Sequence, residues 1–360
     1  MRKIIDENLS ERIISLRFLL IAFVMFIHNN PVEVNFAGYS EIYEIPVYAD
    51  KIRTLLSDIL TRVAVPLFFL IAGCLLYAKE SNFFVVLKKK AAAILVPYIT
   101  WNILGVLFFF TAQTIPFTKP FFANLIIRDF GVIDWIDVFW GKLAKENHSP
   151  LIYQFWFLRD LFILCLLFLA IKKIVDKFPF GFLAILFILW ISNADIYIVS
   201  SEALLFFTLG YYVVKCSVSI SRVDGIKIYD IASVYIITVL MELFIVNYVP
   251  IIHKINILIG SLLLLRLTWY FIHNQKLYAL LAWLENYSFF VYAIHGILLT
   301  ILTKLSVRII PMRGGWILVQ YFSVNIAGLL LCLISAMAVR KISPPLYAIL
   351  TGNRIKKNHS

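Results

Sequence analysis

The chain has 360 residues, of which 62% are hydrophobic and only 15% charged, a balance that ordinary water-soluble domains of this length do not reach. Its 33 Lys and Arg against 21 Asp and Glu give a net charge of +12. That excess does not call for nucleic acid, because basic loops beside anionic lipid produce the same sum. Four cysteines, Cys74, Cys165, Cys216 and Cys332, each lie in an apolar run without the spacing of a metal site or disulfide framework, so neither is expected.

Apolar runs of about 17 to 25 residues, long enough to cross a bilayer, recur along the chain. They predict an all-α polytopic transmembrane helical bundle of about ten helices, forming one membrane domain over 1–360. The spans are expected near 13–30, 54–77, 91–112, 151–171, 180–198, 201–216, 229–248, 255–272, 281–303 and 316–338. The sixth is short and its link to the fifth is tight. A cleavable signal peptide is not expected, since the first span lacks a small-residue cleavage site. With the N-terminus inside, the inner segments carry nineteen basic residues and the outer ones ten. Lysine and arginine concentrate in cytoplasmic loops, so a multi-pass protein of the cell (cytoplasmic) membrane with both termini in the cytoplasm is expected.

The first span contains Arg17 and His28 with nothing charged between them. Ionisable side chains inside a span cost a few kcal/mol or more, so helices keep them where they face protein or water and have a function. Eleven residues at about 100° each return almost to the same azimuth, which places both side chains on one face, roughly 16 Å apart along the axis. The second span reads Val65-Pro-Leu-Phe-Phe and then Ala72-Gly73-Cys74, where Gly73 allows close approach of another helix. The third is preceded by Lys88, Lys89 and Lys90 and continues into Pro97-Tyr98 and Trp101. Such a lysine cluster either anchors the helix to lipid headgroups or holds a phosphate-rich donor at the bilayer edge.

In the long loop 113–150, Trp135, Ile136, Phe139, Trp140 and Leu143 recur at helical spacing, suggesting a helix lying in the outer interface. The fourth span opens Tyr153-Gln-Phe-Trp156-Phe-Leu-Arg159-Asp160, whose charged pair must find neighbours or line a wet cavity. In the ninth, Ser288, Tyr292 and His295 follow at four- and three-residue steps and share a face. With Arg17 and His28 they are expected to form a polar interior site onto which both imidazoles open.

The order of these motifs resembles the acyltransferase-3 family of integral membrane acyltransferases across nearly the whole chain. The resemblance rests on Arg17 and His28 as an Arg-x10-His motif, on Val65-Pro-Leu-Phe-Phe with Gly73, on the basic run before Pro97-Tyr98 and Trp101, on Trp156-Phe157-Leu158, and on Ser288, Tyr292 and His295. Some positions depart from the family pattern. Ala72 replaces a common serine and Ala93 a second basic residue, while Gln154 stands where histidine is frequent and cannot titrate. Family members with an additional hydrolase-like domain are longer, so the expectation is a membrane domain that handles donor and acceptor itself.

The resemblance implies transfer of an acyl group, usually acetyl, from acetyl-CoA or another acyl-CoA to a hydroxyl of a cell-surface polysaccharide or lipid-linked glycan. It implies no permanently bound cofactor and no metal. The partners are acyl-CoA, the sugar acceptor and membrane lipid, with no nucleic acid. His28, Arg17, His295 and Tyr292 become the candidate catalytic residues; Arg17, Lys88, Lys89, Lys90 and Trp156 the candidate donor-binding residues. A sugar hydroxyl is a weak nucleophile, and a neutral imidazole within hydrogen-bond reach takes its proton as it attacks the thioester. Guanidinium geometry suits Arg17 to a phosphate or pantetheine carbonyl. Two other classes compete: a transporter or flippase, which calls for broken helices in matching halves that the sequence does not display, and a noncatalytic membrane subunit, which leaves Arg17 and His28 without a purpose.

Overall fold

The structure, a computed structural model, describes residues 7–36, 39–78, 83–122, 126–143, 148–194, 196–218, 221–245 and 250–353. The long helices are α1 (Glu7–His28), α2 (Val47–Tyr77), α3 (Phe83–Thr114), α5 (Tyr153–Lys177), α8 (Ile228–Ile245), α9 (Pro250–His273), α11 (Ser288–Ser306) and α12 (Trp316–Ile342). Between them lie the shorter α4 (Val132–Asp137), α6 (Pro179–Ile191), α7 (Ser201–Lys215) and α10 (Gln275–Glu285), and α13 (Pro344–Thr351) follows α12. A two-stranded antiparallel hairpin, β1 (Glu33–Phe36) and β2 (Tyr39–Ile42), is the only sheet among the described residues.

The all-α polytopic class holds. Seven of the described helices are long and apolar enough to cross a membrane: α2, α3, α5, α8, α9, α11 and α12. Expected spans one, five and six also form helices but fall outside that set. Glu11, Arg12 and Arg17 charge the body of α1, α6 has 13 residues and α7 has 15. At about 1.5 Å per residue, α6 and α7 reach only about 20 Å of a hydrocarbon core about 30 Å thick. The expected ninth span splits in two, since 281–285 belong to α10 and a new helix starts at Ser288. In the 113–150 loop the expected amphipathic helix shrinks to α4, so Phe139, Trp140 and Leu143 lie beyond its end.

Two compact units divide the chain: Met1–Val24, Thr54–Lys90 and Asp160–Ser288 in the first, and Met25–Arg53, Ala91–Arg159 and Phe289–Ser360 in the second. In the first, Ile13, Leu16, Leu20 and Val24 recur every three or four residues and make one apolar stripe on α1. That stripe packs against Val63, Ala64, Leu67 and Ile71 of α2 and Leu264 of α9. The α2 and α7 backbones meet where Gly73 faces Gly210. A Cβ on either glycine would strike main-chain atoms of the other helix, so the crossing requires both. Ser200 caps α7, its Oγ accepting from Ala203 N at 3.2 Å, while its own N–H donates to Asp160 Oδ2 at 2.9 Å. The same unit ties its buried charges together. Arg12 pairs with Asp224 at 2.5 Å, Glu242 with His253 at 2.8 Å, and the Trp190 indole donates to Glu202 at 3.1 Å.

The second unit uses the motif aromatics as packing. The Trp101 indole donates to the Leu350 carbonyl at 3.0 Å and meets Phe290 edge-on, and Phe290 stacks on Tyr347 of α13. Gly352, at φ 67°, ends α13 in the left-handed region, where a Cβ would strike the Ala93 main chain. Tyr98 donates to the Phe139 carbonyl, and Asn102 Oδ1 accepts from Ile152 N at 3.2 Å, holding the approach to α5. The hairpin covers the end of α11: Lys304 and Arg308 both lie over the Phe36 ring, and Arg308 donates to the Tyr39 hydroxyl at 3.0 Å.

Candidate active site

His28 is the last residue of α1 and His295 lies two turns into α11, and in the second unit their rings face each other with centroids 5.6 Å apart and planes at 32°. Tyr153, the first residue of α5, closes one side, its ring 4.8 Å from His28 in an edge contact. Tyr292 closes another, its ring 5.9 Å from His295. Helical spacing explains the second contact, because residues three apart share a face. Phe155 stacks on Tyr292 and Phe157 meets it edge-on, so the start of α5 supplies an aromatic frame.

The hydrogen bonds set the protons. His295 Nδ1 lies 2.6 Å from the Tyr292 carbonyl, which can only accept, so Nδ1 carries the hydrogen and a neutral ring keeps its lone pair on Nε2. That Nε2 is buried and accepts no hydrogen bond from any described residue. The Tyr292 hydroxyl donates to the Gln154 carbonyl at 2.7 Å, and the Gln154 side chain donates to the Ala293 carbonyl at 3.1 Å. Gln154 lies over the bare backbone of Gly296, where a Cβ would collide with its amide. The glutamine thus clamps α5 to α11 beside His295, a task that needs no titration.

His295 is 0% exposed, whereas His28 is half-buried. Arg17 belongs to the first unit, where its Nη1 meets Glu285 Oε1 at 2.5 Å, with side chains 35% and 9% exposed. Lys88, Lys89 and Lys90 lie in that unit too, within α3, the first two exposed and the third half-buried. Trp156 is half-buried in the second unit against Phe157. The charged pair at the start of α5 is satisfied by protein. Arg159 donates to the Trp140 and His148 carbonyls at 2.6 and 3.0 Å, and Asp160 accepts from Ser200. Ser288 is buried, and its hydroxyl meets no hydrogen-bond partner among the described residues.

Sequence reasoning missed three residues here. Tyr153 stands 125 positions after its imidazole partner, and Gly296 matters only because Gln154 lies on it. Glu285 lies inside the expected ninth span, 281–303, yet only the fold pairs it with Arg17.

A family model described as an acyltransferase domain, Acyl_transf_3, matches residues 11–340. A curated relative, the succinoglycan biosynthesis protein ExoH of Rhizobium meliloti (strain 1021), is 29% identical over 182 residues, covering 48% of this chain and 45% of that protein. The chain thus aligns with less than half of that relative's length. No solved structure shows significant similarity.

Proposed function

The chain belongs to the acyltransferase-3 family, and from that premise we propose that it transfers an acyl group, acetyl in the simplest case, from acyl-CoA to a hydroxyl of a cell-surface polysaccharide or lipid-linked glycan. The observation that carries this reading is the histidine pair of the second unit, a half-buried His28 backed by a buried His295 of fixed tautomer. Likeness to a protein of polysaccharide biosynthesis supports a sugar as acceptor.

In this reading His28 is the general base. Its unprotonated ring nitrogen takes the proton of the acceptor hydroxyl as that oxygen bonds to the thioester carbonyl carbon. When the tetrahedral adduct collapses, the carbon–sulfur bond breaks and the departing CoA sulfur recovers the proton from the imidazolium. The products are the acyl ester and free CoA, and His28 ends as it began. Tyr153 and Tyr292 restrict the orientations available to the two rings, and orientation is a large part of catalytic advantage.

The donor is polyanionic and cytoplasmic. Arg17, Lys88, Lys89 and Lys90 are the groups proposed to hold its phosphates, with Trp156 proposed beside its pantetheine arm. Arg17 has five N–H donors and spends one on Glu285, so it remains able to grip a phosphate. The excess of basic residues in the inner segments supports a cytoplasmic membrane location with both termini inside. Comparing glycan O-acylation in cells with and without a functional gene tests the assignment: loss of O-acyl groups supports it, and unchanged acylation refutes it.

A further inference from the structure

We propose that Tyr153 is a catalytic residue: its phenol O–H donates to the thioester carbonyl oxygen and stabilises the negative charge that gathers there when the acceptor hydroxyl attacks. The inference rests on the acyl-transfer reading above and adds to it the group that receives the oxyanion.

The Tyr153 ring meets His28 edge-on, with centroids 4.8 Å apart and planes at 66°, so phenol and imidazole stand side by side in the second unit. Its hydroxyl makes no hydrogen bond to any described residue. The His295 Nε2 is also without a partner but is sealed in the core, whereas Tyr153 is half-buried and its oxygen is not among the sealed atoms. Neighbouring side chains use donors to hold the fold instead. Tyr292 gives its hydroxyl proton to the Gln154 carbonyl at 2.7 Å, the Gln154 amide donates to the Ala293 carbonyl at 3.1 Å, and the Asn29 amide donates to the Tyr321 carbonyl at 3.0 Å.

Distance permits the role. A tetrahedral adduct held by a base at one oxygen and by a donor at another spans up to about 8 Å between base and donor, from two hydrogen bonds of about 2.8 Å and its own width. The Tyr153 oxygen lies about 2.8 Å from a ring centre that is itself 4.8 Å from that of His28, so base and hydroxyl fall within reach of one adduct. A phenol keeps its proton at neutral pH and offers a single O–H. With no hydrogen bond to break beforehand, that donor meets the charge as it forms, and in a site shielded from water such a contact is worth far more than in solution. It strengthens as the carbonyl oxygen becomes an oxyanion, so it favours the transition state over bound substrate.

As the acceptor oxygen bonds to the carbonyl carbon, the carbonyl π pair moves onto its oxygen and is met there by the Tyr153 O–H. Collapse of the adduct returns that pair to the carbon–oxygen bond and breaks the carbon–sulfur bond. Tyr153 keeps its proton throughout, and the sulfur takes its proton from His28 as before.

A wall for His28 would need only the ring, and Tyr153→Phe separates ring from hydroxyl. In the first arm of the test, the full chain in lipid nanodiscs binds acetonyl-CoA, a ketone analogue that cannot give up its acyl group, labelled with 13C at the carbonyl. Difference infrared spectroscopy is expected to show a lower carbonyl stretching frequency in the wild type than in Tyr153→Phe, because a hydrogen bond weakens the carbonyl bond. Equal frequencies, or no binding of the analogue by the wild type, overturn the proposal. In the second arm, CoA release from acetyl-CoA is followed in membranes with matched protein abundance. Tyr153→Phe is expected to lower kcat about 100-fold or more with KM for acetyl-CoA within about twofold of wild type. Activity in Tyr153→Phe within about twofold of wild type overturns the proposal and leaves the ring as a packing surface. A frequency difference without CoA release by the wild type counts against acyl transfer itself and upholds Tyr153 as the donor to the carbonyl.

Discussion

The Arg17 guanidinium and the Glu285 carboxylate meet at 2.5 Å in the first unit, joining the middle of α1 to the end of α10. Each side chain thus has a charge partner inside a protein whose solvent is lipid, where an unpaired charge is costly. The pair also restrains a guanidinium proposed to bind phosphate. Arg17→Ala is expected to raise the acyl-CoA concentration for half-maximal activity about tenfold or more. Glu285→Gln is expected to lower it severalfold, because Arg17 loses its competing anion. Initial rates across a donor series check both directions. Arg17 is 35% exposed, so solvent screening keeps the effect of Glu285 on stability small.

Charge at Lys89 and Lys90 is expected to act at longer range. Replacing both by glutamine should raise the donor concentration for half-maximal activity, and the difference from wild type should shrink as ionic strength rises and shortens the Debye length. A titration of acetyl-CoA at low and high salt reads this. A salt-independent defect points to packing within α3 instead.

Close backbone approach makes Gly73 and Gly210 sensitive. Alanine at either position puts a methyl group into main-chain atoms of the facing helix, which cannot turn aside as a side chain can. Overpacking of this kind costs about 1 to 3 kcal/mol or more. Thermal unfolding of the solubilised variants should drop by several degrees, with wild-type donor KM in whatever fraction stays folded.

Gly296→Ala tests the clamp beside His295. The added methyl group displaces the Gln154 amide, which now donates to the Ala293 carbonyl. Activity should fall together with stability, and pairing it with a smaller side chain, Gln154→Ala, should restore part of both. Such compensation is expected only for residues in contact.

Much of this was legible in the sequence, because the bilayer forces long apolar helices and leaves ionisable residues conspicuous. His28 and His295 stood out for that reason, and their spacing from Tyr292 placed the tyrosine beside His295. The hairpin was not legible, since four-residue strands in a polar loop carry little period-two signal. Nor was the brevity of α6, whose continuous apolar run says nothing of where a helix stops, whereas α7 was already short as the sixth expected span. The partnerships of Arg17 with Glu285 and of His28 with Tyr153 join residues 268 and 125 positions apart, and periodicity within one helix carries no information across such distances. The burial of His295 was likewise a property of packing, which no spacing within its own helix reports.

In the proposed reaction His28 takes the proton of the acceptor hydroxyl. Its most direct test compares wild type with His28→Ala in inverted membrane vesicles containing equal amounts of each protein, supplied with radiolabelled acetyl-CoA and scored for label in the glycan fraction. Loss of a positioned general base costs about 10²- to 10⁴-fold, so incorporation by the variant should fall to background. Incorporation within about twofold of wild type at normal abundance contradicts the account.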